Sequence, residues 1–468
     1  MSAPVVIPAA TGAAPATAAE ELRALLRLAG PLVGANLLQM AVYAVDVVFV
    51  ARLGEVEFAA ATLGVHFFSI VQWALIGLTG AAAPLIAAEL GARRHAVREV
   101  RRTFRMALWL SLLAAIPFML LFSQGERLLV AAGQDPRVAA RADAFLDILL
   151  WSMPFAIAAT VMRTAAAALG RPGYALAVNL LALGAAVLGN WLLVFGNLGL
   201  PALGLEGSAL ASVLTSLAMF VAYAVILLRD PKIRRWRLFG KLWRLEPARL
   251  REIVRIGTPI AFTLTFEGAL FGGASFLMGL IGVTEVAAHA VALNIAAIAF
   301  QVPFGIAQAA TIRVGIAYGA ADRVWIARAG WAALGVGIGF MVVSAAAIYL
   351  APGLFVSAYL DPGAANARTV ELAVQFLLVA AMFQLFDGGQ AVAAGVLRGL
   401  QDTRVPMIVA GLGYWVAGFG TAVFLGFYLD WGGLGVWIGL AVGLAVVAAL
   451  LVERWALRDR LRLLPRPA

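Results

Sequence analysis

Three acidic residues, Asp46, Glu267 and Asp387, each interrupt an otherwise apolar run of the chain. An ionisable group inside hydrocarbon is costly and is a functional candidate by default, because it must meet a proton, a cation or a polar partner. Asp46 has company: Asn36, Gln39, Tyr43 and Asp46 are spaced three, four and three apart, which puts them on one face of a helix. Gln384, Asp387 and Gln390 repeat the pattern, Thr263 stands one turn before Glu267, and Asn294, Gln301 and Gln308 recur every seven residues. Such a stripe belongs in a bundle interior or a watery cavity. For the amides, cavity lining and interhelical hydrogen bonding predict the same spacing; for the carboxylates, exchange of a proton, Na+ or an organic cation is the chemistry on offer.

Other chemistries have no residues to carry them. The two lysines, Lys232 and Lys241, complete no phosphate-binding GxxxxGK[ST] loop. There is no HExxH, and without cysteine no Cys/His cluster for zinc. Glu206-Gly207-Ser208 is the nearest fragment to a GxSxG elbow and lacks its second glycine. No cofactor is expected, and no enzyme activity.

The elements that must position these residues follow from composition. Hydrophobic residues make up 63% of the 468, charged residues 13%, and the mean hydropathy is +0.94. Roughly 20 apolar residues span a bilayer as a helix, and such runs recur along nearly the whole chain, without the ten-residue alternation of a barrel. The expectation is an all-α integral membrane protein with twelve spans, near 30–51, 60–88, 104–123, 144–168, 174–196, 205–228, 257–281, 286–317, 327–350, 370–396, 405–428 and 433–453.

The net charge of +10 is read as topological anchoring, not nucleic-acid binding. Arg93, Arg94, Arg98, Arg101, Arg102 and Arg105 crowd the second connection, and Lys232, Arg234, Arg235, Arg237, Lys241, Arg244, Arg249 and Arg251 the sixth. Arg454, Arg458, Arg460 and Arg462 follow the last span, whereas the eleventh connection offers only Asp430. The even connections and both termini are therefore expected in the cytoplasm, which requires an even number of spans. Arg163 and Arg313, near cytoplasmic helix ends, are expected to snorkel. His66 and His289 are expected as hydrogen-bonded residues near outer helix ends.

LRALLRLAGPL at 22–32 returns as LREIVRIGTPI at 250–260, with Pro31 and Pro259 in the same slot. At that offset of 228, Gly54 meets Gly282, Gly77 meets Gly305, Gly91 meets Gly319, and Gly204 and Gly207 meet Gly432 and Gly435. The chain is thus two tandem six-helix halves in the same membrane orientation. Expected boundaries are a disordered tail 1–20, an N-lobe 21–229, a basic loop 230–255 and a C-lobe 256–468. Both lead-ins are expected as short amphipathic helices at the membrane interface.

With these features in place, PLVGANLLQMAVYAVDVVFVARLG at 31–54, GNWLLVFGNLGLPALGLEGSALAS at 189–212 and FDGGQAVAAGVLRGLQDTRVPM at 386–407 resemble the multidrug and toxic compound extrusion (MATE) family, its NorM-type branch. The resemblance implies V-shaped lobes around a central cavity and an H+- or Na+-coupled antiporter exporting bulky, often cationic organic compounds from a bacterial cell, a monomer in the inner membrane. It assigns Asp46, Asn190 and Ser208 to an amino-lobe cation site, and Glu267 and Asp387 to the carboxyl-lobe acids, where Na+ is a further possibility. Sodium-binding members often carry a second Asn one turn before the Asn190 position, where this chain has Ala186. The lost oxygen favours proton coupling. Phe68, Trp73, Phe266 and Trp415 either line a pocket or face lipid. The alternatives are a lipid-linked oligosaccharide flippase, which wants a basic cavity for a pyrophosphate, and a membrane enzyme, which wants catalytic groups clustered at one face. The deep charges here are acidic.

Overall fold

The computed structural model describes residues 17–92, 96–131, 133–361, 363 and 366–465. Residues 1–16 of the expected tail, and Arg93 and Arg94, lie outside them. Eleven helices among the described residues are long and apolar enough to cross a bilayer: α1 (Ala18–Val50), α2 (Glu55–Ala92), α3 (Ala96–Phe122), α5 (Gly173–Leu193), α6 (Gly204–Arg229), α7 (Pro247–Ile281), α8 (Val283–Gly319), α9 (Arg323–Leu350), α10 (Ala367–Gly399), α11 (Arg404–Tyr428) and α12 (Gly432–Ala456). A twelfth, α4, is the pair Pro136–Leu149 and Ser152–Ala168, bent by 48° at its break. A helix satisfies its backbone groups within its own segment in lipid, which suits these long uninterrupted apolar runs.

The chain divides into two compact units, and the division differs from the expected lobes. One unit holds Gly34–Ala261; the other holds Phe262–Ala468 together with Ala13–Val33. The first turns of α1 therefore pack with the second unit, and the first turns of α7 with the first. The two lead-ins are also not separate interfacial helices: each is continuous with its span, through Pro31 and Pro259. Their apolar stripes are covered by protein. Leu25, Leu28, Ala29 and Leu32 are buried in α1, and Ile253, Ile256 and Ile260 in α7. Burying such a stripe against side chains removes the reason for it to lie in lipid.

The repeat explains two glycines in these seams. A Cβ on Gly77 would stand 2.6 Å from the Ala261 Cα, and one on Gly305 would stand 3.0 Å from the Val33 Cα. Both glycines and both partners are 228 residues apart, so each unit lets a lead-in approach its second span backbone to backbone.

Buried ion pairs fasten the same segments. Arg313 is 1% exposed and donates to Glu21, itself fully buried, through Nε at 2.8 Å and again through its second terminal nitrogen. Trp325 Nε1 donates to the same carboxylate at 3.0 Å, and the guanidinium lies over the Trp325 ring. Arg313 thus does not snorkel: a counter-charge 292 residues away in sequence holds it inside. In the other unit Arg249 donates to Thr103 Oγ1 at 2.9 Å, to Glu252 Oε2 at 2.6 Å and to Glu89. Glu21 and Arg249 occupy the same slot of the repeat with opposite charge.

Part of the basic crowd is paired likewise. Arg102 and Arg105 both bond Glu246, and Trp109 Nε1 donates to the Leu242 carbonyl at 2.7 Å. Burial pushes the Glu246 carboxyl up, but the Arg102 hydrogen bond and the charges of Arg102, Arg105 and Arg244 outweigh it and hold the group below the usual range. Asp230 caps the short helix Pro231–Arg234 by accepting from Lys232 N and Ile233 N. Burial raises that carboxyl; Tyr174, the capped amides and Arg171 lower it further, to a net depression.

Candidate functional site

In the first unit the polar stripe of α1 meets α5 and α6. Asp46 is half-buried; its Oδ1 accepts from Asn190 Nδ2 at 2.7 Å and its Oδ2 from Ser212 Oγ at 3.2 Å. Asn190 also donates to the Ala186 carbonyl at 2.9 Å, while its own Oδ1 is buried without a partner. The hydroxyl at the carboxylate is thus Ser212, one turn beyond Ser208, which is buried. Ala186 contributes no side-chain oxygen; its methyl packs with Val42 and Ala182. Tyr43, 45% exposed, donates to Gln72 Oε1 at 3.2 Å, and Gln39 is half-buried. Asn36 is buried and accepts from Arg163 at 3.4 Å, so Arg163 also turns inward instead of snorkelling.

In the second unit α7, α10 and α11 converge. Gln390 Nε2 donates to Glu267 Oε1 at 2.9 Å and reaches Asp387 Oδ1 at 3.4 Å, while Gln390 Oε1 accepts from Tyr414 Oη at 2.9 Å. Asp387, Gln390 and Tyr414 are buried and Glu267 half-buried. Tyr414 lies in a π-helical stretch, Leu412–Phe419. Such widened turns are frequent at functional sites. Arg398, eleven residues after Asp387 on α10, acts electrostatically on Glu267. Gln384, one turn before Asp387 on α10, accepts from Ser344 Oγ at 2.9 Å. Gln301 and Asn294 bond back to carbonyls of their own helix, at Ala297 and Ala290, the second of them on an exposed face.

The predicted residues therefore sort into two networks, Asp46–Asn190 and Glu267–Gln390–Asp387, with Ser212 and Tyr414 added. Neither carboxylate network has an ion-pair partner within 4 Å among the described residues. Their donors are amides and hydroxyls, which orient a carboxylate without cancelling its charge. Of the aromatics, Phe68 is core, stacked on Phe122, while Trp73 is exposed. His289, in the second turn of α8, is 1% exposed, 3.1 Å from Ser275 Oγ and edge-on to Trp437; His66 is exposed on α2.

Two tandem units of apolar spans, in each of which neutral donors hold deep acidic side chains, define a multi-pass membrane protein built around buried polar networks. The sequence model of the MatE family matches residues 31–192 and 259–424, two stretches that begin at the two repeat prolines, and the chain belongs to that family. It is 47% identical over 444 residues to the probable multidrug resistance protein NorM of Mesorhizobium japonicum, covering 94% of this chain and 95% of that one. It is 38% identical over 452 residues to the multidrug resistance protein NorM of Burkholderia vietnamiensis, covering 96% of each. Its fold is similar to that of the eukaryotic MATE transporter AtDTX14, with a TM-score of 0.85 at 22% identity over 96% of this chain and all of that one. A multidrug resistance MATE family transporter of the MOP superfamily gives 0.84 at 20% identity, over 98% of each chain.

Proposed function

We propose that this chain is a proton-coupled antiporter that exports bulky, often cationic organic compounds from the cytoplasm of a bacterial cell, with both termini cytoplasmic and the two units alternating access. The observation that carries the reading is the pair of carboxylate networks, each held by neutral hydrogen-bond donors and without an ion pair within 4 Å among the described residues. A charge oriented by Asn190 and Ser212, with no guanidinium to cancel it, is free to take a proton or a substrate cation. On protonation Asp46 becomes a donor; the Ser212 hydroxyl can turn to accept, and Asn190 keeps the Ala186 carbonyl. The Asp46 carboxyl thus keeps hydrogen-bond partners in both protonation states.

Glu267 and Asp387 share one Gln390 amide, so their like charges are poorly screened from each other and a proton or Na+ relieves the pair. If ion and drug bias the same helix arrangement, binding of one drives release of the other. The names of the NorM relatives agree with a multidrug substrate range. The acidic sign of the deep sites favours cations over a pyrophosphate-linked oligosaccharide. The apolar packing of Ala186 where sodium-binding members often carry Asn supports protons over Na+ at Asp46.

The test uses purified protein in sealed liposomes loaded with a fluorescent organic cation, with proton and sodium gradients imposed separately. Dye movement on the proton gradient alone is expected. Movement on sodium alone shifts coupling to Glu267 and Asp387, and movement on neither overturns the antiporter reading.

A further inference from the structure

A second polar layer lies deeper in the first unit. Asn36 precedes Asp46 by ten residues on α1, Asn179 precedes Asn190 by eleven on α5, and Tyr223 follows Ser212 by eleven on α6, which runs the other way. At 1.5 Å rise per residue each lies about 15 Å along its own helix from its neighbour in the Asp46 network, displaced in the same direction. Asn179 shares the buried face of α5 with Ala182, Ala186 and Asn190, and Tyr223 the buried face of α6 with Ser208 and Thr215. Arg163 of α4 joins this layer: it donates to Asn36 Oδ1 at 3.4 Å and its charge reaches both Tyr43 and Tyr223.

The hydrogen-bond inventory of this layer does not close. Arg163 has no carboxylate within 4 Å among the described residues. Because Asn36 gives its oxygen to Arg163, its Nδ2 is left as a buried donor with no partner. The Tyr223 hydroxyl, fully buried, has none either, and Asn179 donates to the Ala175 carbonyl with Oδ1 unpaired. Buried polar groups are nearly always satisfied, and each exception calls for an explanation. Here a half-buried guanidinium, an amide N–H and a hydroxyl have no charged acceptor among the described residues, and the unpaired oxygens near them, Asn179 Oδ1 and Thr215 Oγ1, are neutral.

We infer that Arg163, Asn36 and Tyr223 form an anion-accepting site in the first unit, one layer below Asp46, which takes the carboxylate of a substrate or a free inorganic anion such as chloride. A planar guanidinium flanked by two neutral donors suits a carboxylate. The substrate source rests on the export reading and extends it to zwitterions, whose ammonium end would answer to Asp46; the free-anion source does not need export at all.

Binding at equilibrium, without any gradient, tests the site independently of transport. The probes are 6-(aminomethyl)-2-naphthoic acid and its methyl ester, titrated by fluorescence onto purified protein in chloride and in gluconate buffer. The expected result is that wild type prefers the acid to the ester by about tenfold or more, the scale of one charged hydrogen bond. Arg163→Gln should bring the ratio near one and Arg163→Lys should restore part of it. Tyr223→Phe should lower it a few-fold, and carries the test where Arg163→Gln does not fold. If the acid and ester bind alike but chloride raises the wild-type melting temperature over gluconate, and Arg163→Gln does not respond, the ligand is a free anion. Equal binding of acid and ester together with equal melting in the two buffers overturns the site, and Arg163 is then a strut for Asn36. Anion binding without export in liposomes would instead leave this site standing and remove the antiporter reading.

Discussion

Replacing Glu21 with Gln should cost the protein far more than a surface charge change. Glu21 is fully buried, and its two oxygens take both an Arg313 fork and the Trp325 indole N–H. The isosteric amide keeps the shape but removes the charge, and turns one acceptor toward Arg313 into a donor. Arg313, 1% exposed, would then be a buried cation that has lost the Glu21 carboxylate. Removing one partner of a buried pair costs about 3–5 kcal/mol, whereas replacing both with apolar residues is often close to neutral. Glu21→Gln and Arg313→Met should each lose about 3–5 kcal/mol, and Glu21→Met with Arg313→Met should lose much less than their sum. The assay is reversible unfolding of the purified protein by SDS in mixed micelles, run as a double-mutant cycle. Singles within about 1 kcal/mol of wild type, the size of a surface pair, would refute the view that this pair anchors the α1 lead-in. So would a double variant as damaged as the sum of the singles.

Gly77→Ala and Gly305→Ala force a methyl against the backbone of Ala261 and Val33; each should destabilise by about 1–3 kcal/mol, with similar sizes because the seams repeat, read in the same unfolding assay. The Glu246 carboxyl is held below its ordinary range, so its contribution is present above the unfolded value of about 4.3 and is lost as pH falls toward the folded value; Glu246→Gln should flatten the acid limb of the melting-temperature profile and leave its shape above pH 6 unchanged. Tyr414→Phe deletes the hydroxyl on Gln390 Oε1 and frees that amide to turn; export should fall several-fold and its pH dependence shift, while an unchanged pH profile would remove Tyr414 from the network.

The span pattern and the repeat were legible because they rest on transfer energy and on register, both written locally. The stripe Asn36–Gln39–Tyr43–Asp46 was legible for the same reason, and Asn190 followed from family resemblance. What the residues did not disclose was vertical register between neighbouring helices. Ser208 and Ser212 lie one turn apart on α6, and only the packing of α6 against α1 selects Ser212 for the Asp46 carboxylate. The lead-ins misled for a related cause: an amphipathic helix looks the same whether lipid or protein covers its apolar side. Arg313 could not be separated from a snorkelling arginine without Glu21, far away in sequence. Tyr414 had only a faint signal, a lone hydroxyl in an apolar, glycine-rich span.

Coupling at the carboxylates is measured most directly as proton release on substrate binding. Purified protein in weakly buffered, sodium-free detergent solution with a pH indicator is mixed with an organic cation. Wild type should release protons as the cation takes over the carboxylates, Asp46→Asn and Asp387→Asn should each release fewer, and the double variant fewest, with expression and folding intact. Undiminished release from the double variant, or binding by wild type with no proton released, would contradict the account.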